Sequence, residues 1–192
     1  MDNTIVMTWR KIWPWAIGGG VLLLLMLRRG AGVLSRGSQA ALMPTGWLTG
    51  SFHEQRETHV HQGVDIAAPE GTEVRAASGG TVVAVDPDGV RTGYGNTVIV
   101  EHGGMDQGAL TLYAHLGGFG PGISVGRRVE GGDVLGYVGT TAAPNAPVGA
   151  HLHFEVLTKK VLYKGAVVVN REEPGRLDPV VWLAGIGRSM VG

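Results

Sequence analysis

The amino-acid sequence predicts a mainly β fold, in which antiparallel sheets form a sandwich-like groove, preceded by one N-terminal transmembrane helix. Three observations support this fold class. Glycine makes up 33 of the 192 residues, more than twice its usual share of ~7%. Short runs rich in valine, threonine and isoleucine alternate with glycine-containing turns through most of the chain. A long uncharged apolar run stands near the N-terminus.

The N-terminal apolar run extends from Ile12 to Leu27 without a charged residue. As a helix it would span about 24 Å, less than the ~30 Å hydrocarbon core of a bilayer. Lys11 and Arg28 flank the run and could close this gap by extending their side chains to the interfaces. A buried core helix and a cleaved signal peptide are the alternatives. The weak small-residue site at 38–40 lies at least eleven residues beyond the run, which argues against cleavage.

The anchor divides the chain into four predicted segments. Residues 1–11 form a short tail, residues 12–28 the transmembrane anchor, residues 29–45 a linker and residues 46–192 a folded domain. The first 47 residues carry five Lys and Arg against one acid, and the remainder carries eleven against fifteen. The folded domain therefore has no basic footprint for nucleic acid. Basic residues flank the anchor on both sides, so its orientation in the membrane stays open.

Six strands are predicted in the folded domain from their β-type composition and the turn signals between them. They are Thr72–Ala77, Gly80–Val85, Asn96–Glu101, Leu110–His115, Asp133–Val138 and His151–Leu157. Short strands at this spacing are typical of an antiparallel sandwich or barrel. Residues 117–125 and 140–148 are predicted to be surface loops, and no segment of the domain shows a long helical period.

The candidate chemistry rests on histidines, because the chain has seven of them and no cysteine. The absence of cysteine excludes disulfide scaffolds, thiolate zinc fingers, iron–sulfur sites and cysteine nucleophiles. Two spacings suit a metal: His61 with Asp65, and His151 with His153. Residues two or four apart on a strand project from one face, and two imidazoles with a carboxylate can hold catalytic zinc. On spacing alone, hydrogen-bonded structural histidines remain the alternative.

Three sequence motifs give these spacings a context. They are His61-Gln-Gly-Val-Asp-Ile-Ala-Ala-Pro69, Tyr113-Ala-His-Leu116 and His151-Leu-His-Phe-Glu-Val156. In composition and order they resemble the signatures of the lysostaphin-like (LytM-type) zinc endopeptidases of peptidoglycan. The resemblance covers residues 48–157 continuously and returns at residues 177–183. Residues 158–176 are longer than the short hairpin usual in that family, and their role stays open.

The resemblance implies one Zn²⁺ ion per chain, held by His61, Asp65 and His153. It also makes His115 and His151 the catalytic histidines that do not bind the metal. Zinc would acidify water and polarise the scissile carbonyl, while one histidine accepts a proton and the other assists the oxyanion or the leaving amine. The sequence does not show which histidine has which role.

Several further positions are candidates for the groove or for structural roles. Candidates for lining a peptide groove are Tyr94, Tyr113 and the loops at 86–95, 103–109 and 140–150. Ordinary strand packing is the alternative for the two tyrosines. Of the remaining histidines, we expect a structural role for His102 and assign none to His53 and His59.

We therefore expect a membrane-anchored zinc metallo-endopeptidase that hydrolyses the peptide cross-links of bacterial peptidoglycan. Its partners would be peptidoglycan peptide stems and, through residues 12–28, a lipid bilayer; protein partners are unknown. The catalytic domain would face the cell wall, either as a single-pass protein of the cell envelope or from the virion membrane of a phage. The sequence leaves both settings open, along with the bond that is cleaved.

Two other functions compete with this expectation. The β-type runs also resemble lipoyl and biotinyl carrier domains, but those need a hairpin lysine, and no lysine occurs between Lys11 and Lys159. That alternative fails. A catalytically silent, peptidoglycan-binding regulator of another wall hydrolase remains. Such relatives typically lack one or more metal ligands, whereas all five expected site residues are present here.

Overall fold

The computed structural model describes the folded domain except for short segments. The described residues are 41–89, 93–103, 108–142, 148–158, 161–163, 166–168 and 175–192. The predicted anchor at residues 12–28 lies outside them. Within the described part of the chain, no helix combines the length and apolar character needed to cross a bilayer.

The described residues form short strands joined by turns, with one helix near the C-terminus. In chain order the strands are β1 (Trp47–Gly50), β2 (Val64–Ala67), β3 (Glu73–Arg75), β4 (Gly80–Asp86), β5 (Thr97–Glu101), β6 (Leu110–Ala114), β7 (Leu116–Phe119), β8 (Arg128–Val129), β9 (Val134–Val138), β10 (His151–Leu157), β11 (Val161–Tyr163), β12 (Ala166–Val168) and β13 (Arg176–Leu177). A 3₁₀ turn (Pro87–Gly89) follows β4, and helix α1 (Pro179–Gly185) follows β13.

The larger sheet has eight strands, in the order β1-β2-β10-β6-β5-β4-β8, with β13 paired to β10. Its strand pairs are all antiparallel. β2 pairs with the first half of β10 and β13 with its last two residues, so both flank the edge of β10 that β6 leaves free. A second sheet has the order β3-β9-β7, and β11 and β12 form a separate hairpin that lies against β4. The prediction of mainly antiparallel sheets is confirmed.

The main apolar core joins the two larger sheets. Leu152, Phe154 and Val156 of β10 are fully buried in it, in one cluster with Val74 of β3 and Leu135 of β9. Burying side chains of this size contributes roughly 1.5–3 kcal/mol each. Successive residues of a strand point to opposite faces, so the odd-numbered residues of β10 face away from this core. β10 therefore packs into the core with one face and presents its odd-numbered residues on the other.

The six predicted strands are all present, with ends within two residues of those expected. The loop expected at 117–125 is wrong in its first part, because β7 extends to Phe119 and pairs with β9. Helix α1 has only seven residues, too few for a helical period to stand out in the sequence. Its start is fixed locally, since the carboxylate of Asp178 accepts hydrogen bonds from the N–H groups of Val180 and Val181.

The folded domain begins before the predicted boundary at residue 46. Leu42 and Met43 are 1% and 0% exposed, and their N–H groups donate to the carbonyls of Ser189 and Met190, each at 3.0 Å. Residues 41–43, which are predicted to belong to the linker, thus pack as part of the domain. The other predicted segment boundaries stay predictions.

Candidate metal centre and catalytic groove

Asp65 and His153 face each other across neighbouring strands. Asp65 lies on β2 and His153 on β10, and the antiparallel register pairs them directly. Nδ1 of His153 is 2.8 Å from Oδ1 of Asp65. Both residues are buried, with exposures of 6% for Asp65 and 4% for His153. The sheet register therefore brings together two residues that are 88 positions apart in the sequence.

His61 reaches the same point from the loop that precedes β2. The expectation that His61 and Asp65 project from one strand is wrong, because β2 begins at Val64. Gly63 allows the loop to pass close to β10, since a Cβ there would collide with the carbonyl of Phe154. The Nδ1–H of His61 donates to the carbonyl of Ser51 at 2.8 Å. That hydrogen bond leaves the lone pair of Nε2 directed toward Asp65 and His153.

Three potential ligand atoms converge at this point. Nε2 of His61 lies 3.1 Å from Oδ1 of Asp65 and 3.1 Å from Nδ1 of His153. Zinc–nitrogen bonds of about 2.0–2.1 Å in a tetrahedral site place ligand atoms roughly 3.3 Å apart. The triangle is therefore close to the size that a zinc ion needs. Within the described residues, these three side chains form a group able to hold a metal ion.

Each ligand candidate has an outer hydrogen-bond partner that fixes its orientation. Nη2 of Arg56 is 2.5 Å from Oδ2 of Asp65, which leaves Oδ1 for the cluster. Nε2 of His153 is 3.0 Å from Oε1 of Glu155, so its proton is donated there and the lone pair of Nδ1 can face a metal. Outer partners of this kind are usual for metal-binding histidines and carboxylates. The residues present therefore fit a zinc ion.

The charges of the site are strongly coupled. Burial raises the pKa of Asp65, but its contacts with His153, His61 and Arg56 outweigh this effect and hold the pKa well below its ordinary value. Burial lowers the pKa of His153, but hydrogen bonds to Asp65 and Glu155 outweigh it and raise the pKa to about 9. In the metal-free protein His153 is therefore protonated at neutral pH, and a bound cation would displace that proton.

His115 and His151 lie beside the cluster without joining it. The rings of His115 and His151 are 4.7 Å apart between centroids, and those of His115 and His153 are 5.9 Å apart. Nδ1–H of His115 donates to the carbonyl of Thr141 at 2.7 Å, and Nδ1–H of His151 donates to that of Gly149 at 2.7 Å. In each ring, Nε2 is therefore the nitrogen that is not bound to a backbone carbonyl. Nε2 of His151 is 3.7 Å from Oδ1 of Asp65.

The backbone and the protonation state of His115 are both unusual. Its φ of 60° lies in the left-handed region, which non-glycine residues adopt mainly where the surroundings enforce it, as at functional sites. Burial and the neighbouring His151 and His153 lower the pKa of His115 to about 4. The ring is therefore neutral at pH 7 and able to accept a proton.

The five side chains open onto a groove of about 680 Å³. Tyr94 lines it, with its ring stacked 5.0 Å from that of His153. Tyr113 does not: it is fully buried, its hydroxyl accepts a hydrogen bond from the N–H of Ala77, and burial raises its pKa to about 12. The groove role considered for Tyr113 is therefore wrong. Parts of the predicted loops at 86–95 and 140–150 line the groove.

The remaining histidines fall outside the cluster. His59 is exposed on the groove wall and interacts with Thr58, and His53 stacks on Phe52. His102 is buried, with Nδ1 3.0 Å from the carbonyl of Gly79 and Nε2 2.8 Å from the hydroxyl of Thr111. The structural role expected for His102 agrees with these contacts.

Comparison with known proteins identifies the family. A sequence profile of peptidase family M23 matches residues 59–170, more than half of the chain. The chain belongs to peptidase family M23. The matched range contains all five histidine and aspartate positions of the cluster and its surroundings.

Two curated relatives and one solved structure illustrate the similarity. The DD-carboxypeptidase/endopeptidase Mpg of Neisseria meningitidis is 42% identical over 96 residues, which is 50% of this chain and 20% of that protein. The murein hydrolase activator EnvC of Escherichia coli is 36% identical over 95 residues, again 50% of this chain and 20% of that protein. The catalytic domain of lysostaphin from Staphylococcus simulans superimposes with a TM-score of 0.52 at 25% identity, covering 74% of this chain and 92% of that domain. The match thus spans about a fifth of the length of these two relatives.

Two residues of the site, Arg56 and Glu155, are not among the candidates predicted from the sequence. Arg56 lies before the first of the three motifs, and nothing in its spacing marks it. Glu155 stands two residues after His153 on a strand, and this spacing was a usable signal, because such residues share a face. Its burial and its second partner could not be read from the sequence.

Proposed function

We propose that this chain is a zinc endopeptidase that hydrolyses the peptide cross-links of bacterial peptidoglycan. The observation that carries the proposal is the convergence of Nε2 of His61, Oδ1 of Asp65 and Nδ1 of His153 on one point of an open groove. The rings of His115 and His151 stand beside that point. Three ligands with an accessible fourth position are the usual arrangement of catalytic zinc.

The chain's own residues supply the proton transfers. A zinc ion held by the three ligands would acidify water and polarise a carbonyl. His115 is neutral at pH 7 and is held by Thr141, so its Nε2 can accept a proton from the attacking water. His151, held by Gly149, can donate a hydrogen bond to the developing oxyanion or assist the leaving amine once protonated. The two roles are interchangeable on the geometry alone.

The lining of the groove and the relatives both support a peptide substrate. The groove is lined by both polar and apolar side chains, including Tyr94, Val60 and Val148, which suits a peptide. Mpg is a DD-carboxypeptidase/endopeptidase by name. A peptide stem of peptidoglycan is therefore the proposed substrate, with either a D-alanyl–diaminopimelyl or a glycyl–glycine bond as the point of cleavage.

A regulator without catalytic activity is the second candidate. Its support is the 36% identity to EnvC, a hydrolase activator by name. The presence of all five site residues in one geometry favours the enzyme, because a silent regulator has no need of three converging ligands and two poised histidines. Zinc content and cleavage together separate the two functions.

The full chain is expected to bind close to one equivalent of zinc. Elemental analysis after purification in detergent measures this stoichiometry, and activity against purified peptidoglycan should fall on chelation and return on addition of zinc. Activity that survives a chelator and does not respond to zinc would contradict the proposed metal site. A chain that binds one zinc but releases no peptide would instead favour the regulator.

We further propose that residues 12–28 anchor the protein in a membrane without cleavage, with the folded domain facing the cell wall. The support is the uncharged apolar run and the distance to the nearest small-residue site. The same arrangement would serve a cell envelope or a phage virion membrane. The intact mass of the protein from a membrane fraction is expected to include residues 12–28. A species beginning near Ala41 would overturn the anchor.

A further inference from the structure

A buried ion pair stands directly behind the candidate metal ligand His153. Glu155 is 0% exposed, and the side chain of Arg176 is 3% exposed. Nε of Arg176 donates to Oε2 of Glu155 at 2.8 Å. Taking two charges out of water costs several kcal/mol per ion. A pair in this position therefore calls for an explanation beyond packing.

The two oxygens of Glu155 have separate partners. Oε2 accepts from Arg176, while Oε1 accepts from Nε2–H of His153 at 3.0 Å and from the hydroxyl of Tyr94 at 2.9 Å. Asp65 is arranged in the same way, with Oδ1 on His153 and Oδ2 on Arg56. His153 thus lies between two carboxylates, and an arginine holds the far oxygen of each.

Arg176 arrives through the segment that exceeds the family's usual length. β13 returns to the edge of β10 and pairs Arg176 with Leu157. Hydrogen bonds from Thr158 connect the ends of β10 and β13. Its N–H and hydroxyl both donate to the carbonyl of Gly175, at 2.7 and 2.9 Å. The end of the long segment 158–176 therefore places the cationic side chain of Arg176 behind the candidate metal ligand His153.

We propose that Glu155 is a positioning residue for the metal, and that Arg176 and Tyr94 hold it in place. Glu155 accepts the Nε2 proton of His153, which leaves Nδ1 free for the metal, and Arg176 fixes which carboxylate oxygen does so. This inference rests on the proposed zinc site. It concerns the affinity for zinc and the tautomer of the bound ligand, rather than a step of the reaction.

Glu155→Gln tests the role because glutamine is nearly isosteric but offers only one acceptor oxygen. If the amide oxygen faces Arg176, the amide NH₂ faces Nε2 of His153 and favours the tautomer that has its proton on Nδ1. If the oxygen faces His153, the NH₂ meets the N–H groups of Arg176. The first orientation opposes zinc binding, and the second is disfavoured by the contact between the NH₂ and Arg176. We therefore expect a lower zinc affinity, since loss of an outer partner typically lowers metal affinity about 10–100-fold.

The double variant Glu155→Gln/Arg176→Gln removes this conflict. The amide at position 176 can then donate to the amide at position 155 or accept from it, so the amide oxygen at position 155 is free to face His153. We expect its zinc affinity to recover to within a few-fold of the unchanged chain. Glu73→Gln is the matched control, because Glu73 also pairs with an arginine, Arg75, at 2.6 Å, but lies on β3 in the other sheet. It should leave zinc affinity unchanged.

Zinc affinity is measured on the full chain by competition with a chelator. The visible spectrum of the Co²⁺-loaded protein reports the ligand field around the metal, to which Nδ1 of His153 would contribute. A loss in Glu155→Gln with recovery in the double variant supports the inference. Equal affinity in Glu155→Gln, or no recovery in the double variant, overturns it. If Glu155→Gln does not fold, Glu155→Met/Arg176→Met replaces the pair by apolar side chains, and unchanged zinc affinity there overturns the inference. Failure of the unchanged chain to bind zinc would refute the proposed function instead.

Discussion

Replacing His153 with alanine is expected to abolish zinc binding and peptide cleavage together. Nδ1 of His153 is one of three converging ligand atoms, within 3.1 Å of both others, and two remaining ligands with water hold zinc orders of magnitude more weakly. Zinc at 100 times its Kd stabilises a protein by about 2.7 kcal/mol. Zinc should therefore raise the melting temperature of the unchanged chain and leave that of His153→Ala unmoved.

His59→Ala is the control for this experiment. His59 is exposed on the same groove wall and contacts Thr58 rather than the cluster, so its removal should leave zinc content at one equivalent. The metal-free melting temperatures of both variants are compared as well, because His153→Ala also deprives Glu155 of a partner. His153→Ala that retains a full equivalent of zinc would contradict the ligand assignment.

Replacing His115 with alanine is expected to have the opposite signature: zinc stays, and cleavage is lost. His115 donates to Thr141 rather than to the cluster, and its neutral ring faces the groove. Removal of a general acid or base typically lowers the rate by about 10²–10⁴-fold. Zinc content and kcat measured on the same preparation separate this result from loss of the metal.

The left-handed backbone of His115 calls for a second substitution. Asparagine tolerates a φ near 60° better than alanine does, and its side-chain amide can donate to Thr141 without supplying a base. His115→Asn should therefore match His115→Ala in lost activity, with less disturbance of the fold. His151→Ala should also keep its zinc. If His115→Ala is isolated without metal while His153→Ala carries a full equivalent of zinc, the proposed roles of the two histidines are reversed.

The strands that the sequence predicts are those whose apolar pattern is strong. β4, β5, β6 and β10 carry runs rich in aliphatic residues that follow a glycine-containing turn, and their ends agree within one residue. β7 was missed because its two central residues are Gly117 and Gly118, which favour a loop until pairing with β9 is known. β1 was missed because its first three residues are exposed and it has no alternating pattern.

The structure brings the three candidate ligands together, but in an arrangement that the sequence did not predict. The motifs single out His61, Asp65 and His153, yet the expected shared strand for His61 and Asp65 does not exist. The register of β2 against β10 joins Asp65 to His153, a contact between distant parts of the chain, and His61 reaches them from the loop before β2. Short-range spacing carries no information about strand register. It could therefore indicate candidate residues but could not predict how they lie relative to one another.

The outer partners of the cluster were the least predictable part. Arg176 lies 21 residues from Glu155, at the end of a segment that the family resemblance does not cover. Its pairing depends on β13 rejoining the edge of β10. A two-residue strand has almost no sequence signal of its own, so only the folded structure shows that Arg176 pairs with Glu155.

The central claim is most directly tested by mass spectrometry of purified peptidoglycan after digestion with the zinc-loaded full chain. We predict new products in which cross-linked stems have separated with the addition of one water and a free amine at the cut, absent from digests with chelator or with His153→Ala. The same masses identify the bond that is cleaved. Unchanged peptidoglycan after digestion by a chain carrying one equivalent of zinc would contradict the claim.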